Sequence, residues 1–505
     1  MKFLVYSEIT AARIAESLGL PEYSYYFVLR DFMPVLRQLG DIRVVENPQE
    51  VDDLYDEACT QGQSCLFLSF SPPHKTPLGL RCPTIPIFAW EFDSIPSEPW
   101  LDEAHQDWRH VLRSCERGIT HSGFTVKAVH KALGEEFPII GIPSPVWDRY
   151  QALRDTSGTL PLKEGVQLCI QEGVVLDTHD VALEPYMPDV DAVAKAVAAA
   201  RGNPTPRPLH PSPASRESRA QITRRYLGTW YHEVLQPLLP KRRVSKSPEA
   251  KVVFGDNTRR LEPRNQVEPA SLPKAGLKPP TTEWALGECQ LELSGVVFTA
   301  LFNPYDGRKN WVDMLTAFCS AFRDCADATL VFKLGHHEYQ SALNDMLMCM
   351  ARMPKFLCRV VLVQGFLEKA EFEGLIRATA FVVNASHGEG QCLPLMEFLS
   401  CGKPAVAPRH SAMLDYIDPD VAFVVDSWED ATAWSHDPRL AYRTLRHQID
   451  WSSLVRAYRA AYHCAKNTPD RYSQMSAAAI ARMQKHCSQA SALERLMDFL
   501  GMQPA

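Results

Sequence analysis

This 505-residue chain predicts an α/β protein built from two parallel-sheet domains, on three observations. Short apolar runs alternate with amphipathic helical stretches over residues 1–150 and again over 286–430. That alternation is the pattern of a parallel sheet covered by helices. Between the two halves, residues 201–285 hold 13 of the 38 prolines, and a run such as Asn203–Pro208 propagates neither a helix nor a central strand. With 46% apolar and 22% charged residues, the composition is that of a globular protein large enough for two or three cores.

In chain order, Lys2–Tyr6 reads as a strand, Tyr25–Leu39 as an amphipathic helix, Ile42–Glu46 as a strand, Val51–Gln61 as a helix and Cys65–Phe70 as a third strand. Ligands of open parallel sheets gather at the carboxyl ends of the strands, which directs attention to the loops Ser7–Ser24, Ser71–Lys75 and Trp90–Asp93. Residues 151–285 read as a partly irregular, basic insert. Beyond it come strands at Val296–Leu301, Thr329–Leu334, Val360–Gln364 and Ala380–Asn384, separated by helices at Trp311–Phe322, Glu338–Met350 and Lys369–Arg377. From Trp428 the pattern is helical, through Tyr442–Cys464 and Asp470–Leu500, so 431–505 is expected to be all helix, its last turns Leu493–Leu500 crossing back to the N-terminal domain.

The most informative stretch is Phe381–Ala407. An apolar strand runs into the polar loop Ser386–Gln391, Pro394 opens an apolar helix, and the helix stops at Gly402. The first N–H groups of a helix lack internal partners and carry the positive end of its dipole, and glycines ahead of them let a phosphate approach closely. Glu389 and Glu397 stand eight residues apart, so that one can meet a sugar while the other reaches a ribose. Arg308 and Lys309, at the entrance of the Trp311 helix, suit a diphosphate, one by forked hydrogen bonds and the other as a point charge. Each feature has a plainer alternative: glycine loops and paired glutamates are common in parallel-sheet proteins, and adjacent cations are often a solvated helix start.

Taken together, Glu389-Gly390-Gln391-Cys392, Leu393 to Glu397 and Ser400-Cys401-Gly402-Lys403-Pro404-Ala405-Val406 resemble the signature of retaining glycosyltransferases of the GT-B architecture, the group 1 or family 4 class. The resemblance implies two Rossmann-like domains facing a cleft, the N-terminal one for the acceptor and the C-terminal one for a nucleotide sugar. It implies Glu389 as the catalytic carboxylate beside the sugar and Glu397 on the ribose. Arg308, Lys309, Gly388, Gly390, Gln391, Cys392 and Leu393 would then bind the donor. Cys392 stands where the family usually has glycine. A weaker resemblance covers Trp90-Glu91 with Pro96 and Trp100, then His121 to Val126, and implies that Glu91 and His121 face the sugar; either residue is alternatively a satisfied structural polar group. The implied activity is transfer of a sugar from a nucleotide-diphosphate donor to a glycan or lipid-linked acceptor, in polysaccharide or glycoconjugate synthesis. No cofactor and no metal are expected, because a diphosphate leaves well once its charge is neutralised by Arg308, Lys309 and the helix near Pro394. The alternatives are an epimerase, which needs acid/base pairs, and a non-catalytic sugar-nucleotide-binding or scaffold protein of a polysaccharide assembly complex.

The 14 cysteines show no C-x-x-C pairing or zinc spacing and read as reduced thiols. Met1–Glu16 has one lysine and only a short apolar run, and no stretch of about 18 apolar residues occurs, so a cytoplasmic location is expected. The net charge of −7 hides an asymmetry: residues 201–285 carry 16 Lys and Arg against 7 Asp and Glu, a surplus of nine, which leaves −16 on the remainder. Within that insert, a helix over Ser215–Leu238 would align Ile222, Tyr226, Trp230 and Val234, with Lys241-Arg242-Arg243 following. A basic helix with such an apolar stripe can lie on an anionic surface, which offers 215–246 as a peripheral contact with the inner membrane face. The competing reading docks it on the protein's own acidic surface. No nucleic-acid partner is expected, since no recognition motif accompanies the basic surplus.

Overall fold

The computed structural model describes residues 1–187 and 283–502, apart from short stretches at 11–12, 15, 21, 157–159, 161–164, 435–436, 438 and 440. The expected membrane contact through 215–246 lies outside the described residues.

The N-terminal half alternates as its sequence pattern requires: β1 (Lys2–Tyr6), α1 (Tyr23–Leu39), β2 (Asp41–Val44), α2 (Val51–Thr60), β3 (Cys65–Phe70), β4 (Thr84–Phe88), α3 (Trp108–Cys115), β5 (Gly118–Thr120), α4 (Gly123–Leu133) and β6 (Ile139–Gly141). All six strands are parallel, in the order β2-β1-β3-β4-β5-β6. β3 is buried along its whole length, which is why Cys65–Phe70 is continuously apolar or small: a parallel strand is covered on both faces. The buried side chains of α1, Tyr25, Val28, Leu29, Phe32, Val35 and Leu36, recur at helical spacing and press on this sheet.

After a short helix α5 (Gln151–Thr156), the chain enters the second sheet through β7 (Val166–Asp177) and, beyond the insert, β8 (Gly287–Leu293). There follow β9 (Val296–Phe302), α6 (Trp311–Ala321), β10 (Ala328–Leu334), α7 (Gln340–Ala351), β11 (Arg359–Gly365), α8 (Lys369–Ala378), β12 (Phe381–Val383), α9 (Leu393–Ser400), β13 (Ala405–Pro408) and β14 (Ala422–Val425). The order is β14-β13-β12-β9-β10-β11-β7-β8, parallel except for β7, which runs antiparallel to both of its neighbours, β11 and β8. The two sheets, each covered by helices, face one cleft.

Two sequence expectations are corrected. Val166–Asp177, inside the stretch read as an insert, is a sheet strand, because its hydrogen-bonding partners Arg359–Gly365 and Gly287–Leu293 lie far away in the chain. Ser427–Ala433 and Arg443–Ile449 are not helical but pair as antiparallel strands, β15 and β16. Their alternation is diluted by charged residues, and the apolar weight sits at the tip rather than in the strands. Helices resume with α10 (Trp451–Asn467), α11 (Pro469–Cys487) and α12 (Gln489–Leu500). α12 buries Ala492 and Leu496 in the N-terminal core.

The hairpin tip also enters that core. Trp434 is fully buried, stacked on Tyr442 at 4.0 Å between ring centroids and edge-on to Trp90 at 5.8 Å. Asp93 accepts from Thr444 Oγ1 and from the Leu445 N–H, both at 2.9 Å. Trp434→Ala is expected to destabilise the protein by about 3–5 kcal/mol, the range for deleting a large core aromatic, read as a lower midpoint of urea unfolding. A loss under about 1 kcal/mol would show that the tip does not carry the docking.

Candidate active site in the interdomain cleft

In an open parallel sheet the ligand crevice lies where neighbouring strands are reached by opposite crossovers. In the second sheet that point is β9, which has β10 on one side and β12 on the other. The loops leaving β9 and β12 therefore meet, and they carry Arg308 and Lys309 on one and Gly388 to Cys392 on the other. A cavity of about 570 Å³ opens in front of them, closed on the far side by α1, Ala89, Glu91 and Arg149. That volume is within the ~300–1,000 Å³ of small-molecule sites.

Glu389 is 2% exposed. It accepts from Lys309 Nζ at 2.8 and 2.9 Å, from Arg308 Nη1 at 3.1 Å and from Asn384 Nδ2 at 3.0 Å. Burial alone would raise its pKa, but Lys309 and Arg308 outweigh burial and hold it down at about 2. Arg308 also donates to the Gly388 carbonyl at 2.8 Å, and its Nε lies 3.2 Å from Glu91 and 3.0 Å from Asp306. Glu91 thus joins the predicted cluster, brought there from the end of β4.

Glu397 lines the same cavity from α9 but in a different environment. It accepts from Tyr150 Oη at 2.8 Å and Arg149 Nη1 at 3.3 Å. Its pKa is raised, chiefly by burial, which the nearby Arg149 only partly offsets. Gln391 accepts the Ser144 N–H at 3.1 Å, and Leu393 faces the cavity. Cys392 adopts φ +61°, the left-handed conformation that glycine takes without strain, so the chain keeps the glycine-type turn with a side chain in place. Its thiol, pushed up to about 12 by burial, stays protonated.

The loop glycines serve a purpose the sequence did not suggest. A Cβ on Gly390 would meet Ala89 Cβ at 2.9 Å and Trp90 N at 3.1 Å, and one on Gly388 would meet the Glu91 carbonyl oxygen at 3.1 Å. They admit the other domain's backbone, and Gly390 also lines the cavity. His121 is not brought to this cavity. It lines a separate depression with Asp415 and Arg495, its Nδ1 3.0 Å from the Ile142 carbonyl and its Nε2 buried without a hydrogen-bond partner among the described residues.

Sequence reasoning missed Asn384, Arg149, Tyr150 and Lys333, which all contact or line the site. Only Lys333 carried a local signal, a cation inside an otherwise apolar strand run, Thr329–Leu334. His410, also missed, lies near the Ser386–Gln391 loop, stacked on His447 at 4.3 Å and 3.1 Å from Ser411 Oγ.

No protein-family model matches the chain, and no curated protein matches it. Solved structures similar to it include HepE of Anabaena in complex with UDP-glucose (TM-score 0.47, 11% identity, 99% of each chain covered). Others are a glycosyltransferase of Rickettsia africae ESF-5 (0.46, 8%, 99% of this chain and 98% of that one) and the N-terminal domain of a Candida albicans trehalose-6-phosphate phosphatase (0.46, 9%, 99% and 98%). At these scores the likeness adds nothing to the sheet topology, and the chemistry rests on the site itself.

Burial holds His410 at about 3 and His121 at about 4, below the ordinary value of 6.5. The unfolded chain therefore binds more protons than the folded one below about pH 6.5. Stability should be fully present above that pH and fall as pH drops towards the folded values, by up to ~1.4 kcal/mol per pH unit for each such histidine. Urea midpoints at pH 7.5, 6 and 5 test this: His410→Gln should flatten the decline by one histidine's share, and a flat wild-type profile contradicts it.

Proposed function

We propose that the chain is a retaining glycosyltransferase that moves a sugar from a nucleoside-diphosphate donor to a hydroxyl of a glycan or lipid-linked acceptor. The observation that carries this reading is the convergence of Arg308, Lys309 and Glu389 at the β9/β12 crossover, opposite Glu91. Arg308 keeps its Nη2 free of partners among the described residues, and Lys309 has three donors, so both can reach phosphate oxygens while still holding Glu389. Neutralising the diphosphate makes it the leaving group, and no cofactor or metal enters this reading. Glu389, ionised and buried, is unsuited to be a general acid; it stabilises the positive charge that develops on the transferred sugar and accepts its hydroxyls. Phe366 and Leu367 offer the cavity an apolar flank for a base, and Tyr23, Tyr26 and Phe27 of α1 line its acceptor side. We infer a cytoplasmic setting, with the basic segment 215–246 as the contact to a lipid-linked acceptor's membrane.

Thermal shifts with UDP-, GDP-, ADP- and dTDP-sugars should pick out one donor, since a ligand of the folded state alone raises stability by mass action. That donor should be hydrolysed slowly without acceptor. Glu389→Gln is expected to cut turnover by about a hundredfold while donor affinity changes little. Binding without turnover of any donor would turn the assignment to a non-catalytic scaffold.

Glu397 is assigned to the ribose. Glu397→Gln, which retains an acceptor for Tyr150, should weaken donor binding by about 1.5–3 kcal/mol, the range for a charged hydrogen bond. Calorimetric titration that finds full affinity in the folded variant would remove Glu397 from the site.

A further inference from the structure

Six cations line the cleft cavity: Arg30, Arg149, Arg308, Lys309, Lys333 and Lys369. Five of them have a carboxylate within 4.0 Å: Arg30 on Asp31 at 2.8 Å, Arg149 on Glu397 at 3.3 Å, Arg308 and Lys309 on Glu389 at 3.1 and 2.8 Å, and Lys369 on Glu373 at 3.8 Å. Lys333 has none among the described residues. It stands in β10, a strand buried along its whole length, with Leu301 of β9 and Val363 of β11 as its neighbours. The residue is 8% exposed, and its Nζ makes one hydrogen bond, to the Leu334 carbonyl oxygen at 2.9 Å. An ammonium has three donors, so two remain unspent in a cavity wall.

A buried charge without a counter-charge is costly, and a fold normally pairs it or excludes it. Burial pulls the pKa of Lys333 down to about 8, so it is still mostly charged near neutrality. A hydrophobic residue at this position would match the strand around it. Lys309 and Arg308, in contrast, are already balanced as charges by Glu389, Glu91 and Asp306.

We propose that Lys333 is an anion-receiving residue of the cleft, supplying through its unpaired ammonium the positive charge that meets a phosphate oxygen of the donor's diphosphate. The inference rests on the nucleotide-sugar reading above and adds to it the residue whose charge is held open for the ligand. Arg308 and Lys309 then orient the diphosphate through N–H groups, while Lys333 supplies the uncompensated charge.

The test is calorimetric titration of the full chain and of Lys333→Met with UDP, GDP, ADP and dTDP, together with the matching nucleosides in competition. The diphosphate that binds the wild type should bind Lys333→Met at least tenfold more weakly, with the nucleoside changed less than twofold. The ligand-free Lys333→Met protein should melt higher than wild type, because the open charge is gone; a residue of purely structural role would melt lower when replaced. Lys333→Gln, which can still donate to Leu334, is the second variant and should show the same loss of diphosphate affinity. Equal diphosphate affinity in both variants, equal losses of diphosphate and nucleoside, or a lower melting temperature for both overturns the role of Lys333 and leaves the glycosyltransferase reading standing. A wild type that binds no nucleoside diphosphate overturns that reading and this inference with it.

Discussion

One guanidinium holds the cleft together. Arg308 touches the Gly388 carbonyl and Glu389 with Nη1 and lies beside Glu91 and Asp306 with Nε, so segments following β4, β9 and β12 converge on a single planar cation. Without it, three carboxylates would crowd a site of low dielectric. Lys309 supplies the second charge, on the same carboxylate of Glu389. Removing one partner of a buried pair commonly costs about 3–5 kcal/mol, because the other charge is left stranded. The position of the β12 loop therefore follows from the ion cluster, and the ion cluster follows from the crossover that brings two strand ends side by side.

The opposing wall of the cleft is set by close packing. Gly388 and Gly390 leave no side chain between their loop and the Ala89–Glu91 backbone, so the domains meet at near-contact distance. The β15/β16 hairpin and α12 return from the C-terminal half and bury Trp434, Ala492 and Leu496 among the aromatic residues of the first sheet. Interiors packed to crystal-like density have low compressibility, which gives the cavity a defined width before any ligand arrives.

Within that width, two glutamates of one motif are driven in opposite directions. Glu389 sits between Lys309 and Arg308 and stays ionised; Glu397, more thoroughly desolvated than compensated, is raised. Environments that separate like groups are how a fold assigns them different tasks. Lys333 extends the same logic to a cation, held in the wall with no carboxylate against it among the described residues.

Local pattern determined much of this protein. The strand–helix alternation, the span of the loop before Leu393, the proline at the start of α9 and the presence of Arg308, Lys309 and Glu389 in loops after strands and of Glu397 on the helix that follows are all readable from residue periodicity and helix-end chemistry. These depend on interactions over a few residues. What depends on partners distant in the chain was decided by tertiary structure: that Val166–Asp177 is a strand, that Ser427–Ala433 pairs with Arg443–Ile449, that the loop glycines face a domain and that His121 lies outside the cavity. The same holds for charge. The sequence pointed to Arg308 and Lys309, but which further cations line the cavity, and whether each is spent or open, depends on which residues and carboxylates the fold brings together within about 4 Å, where Coulomb energy in a desolvated site is largest.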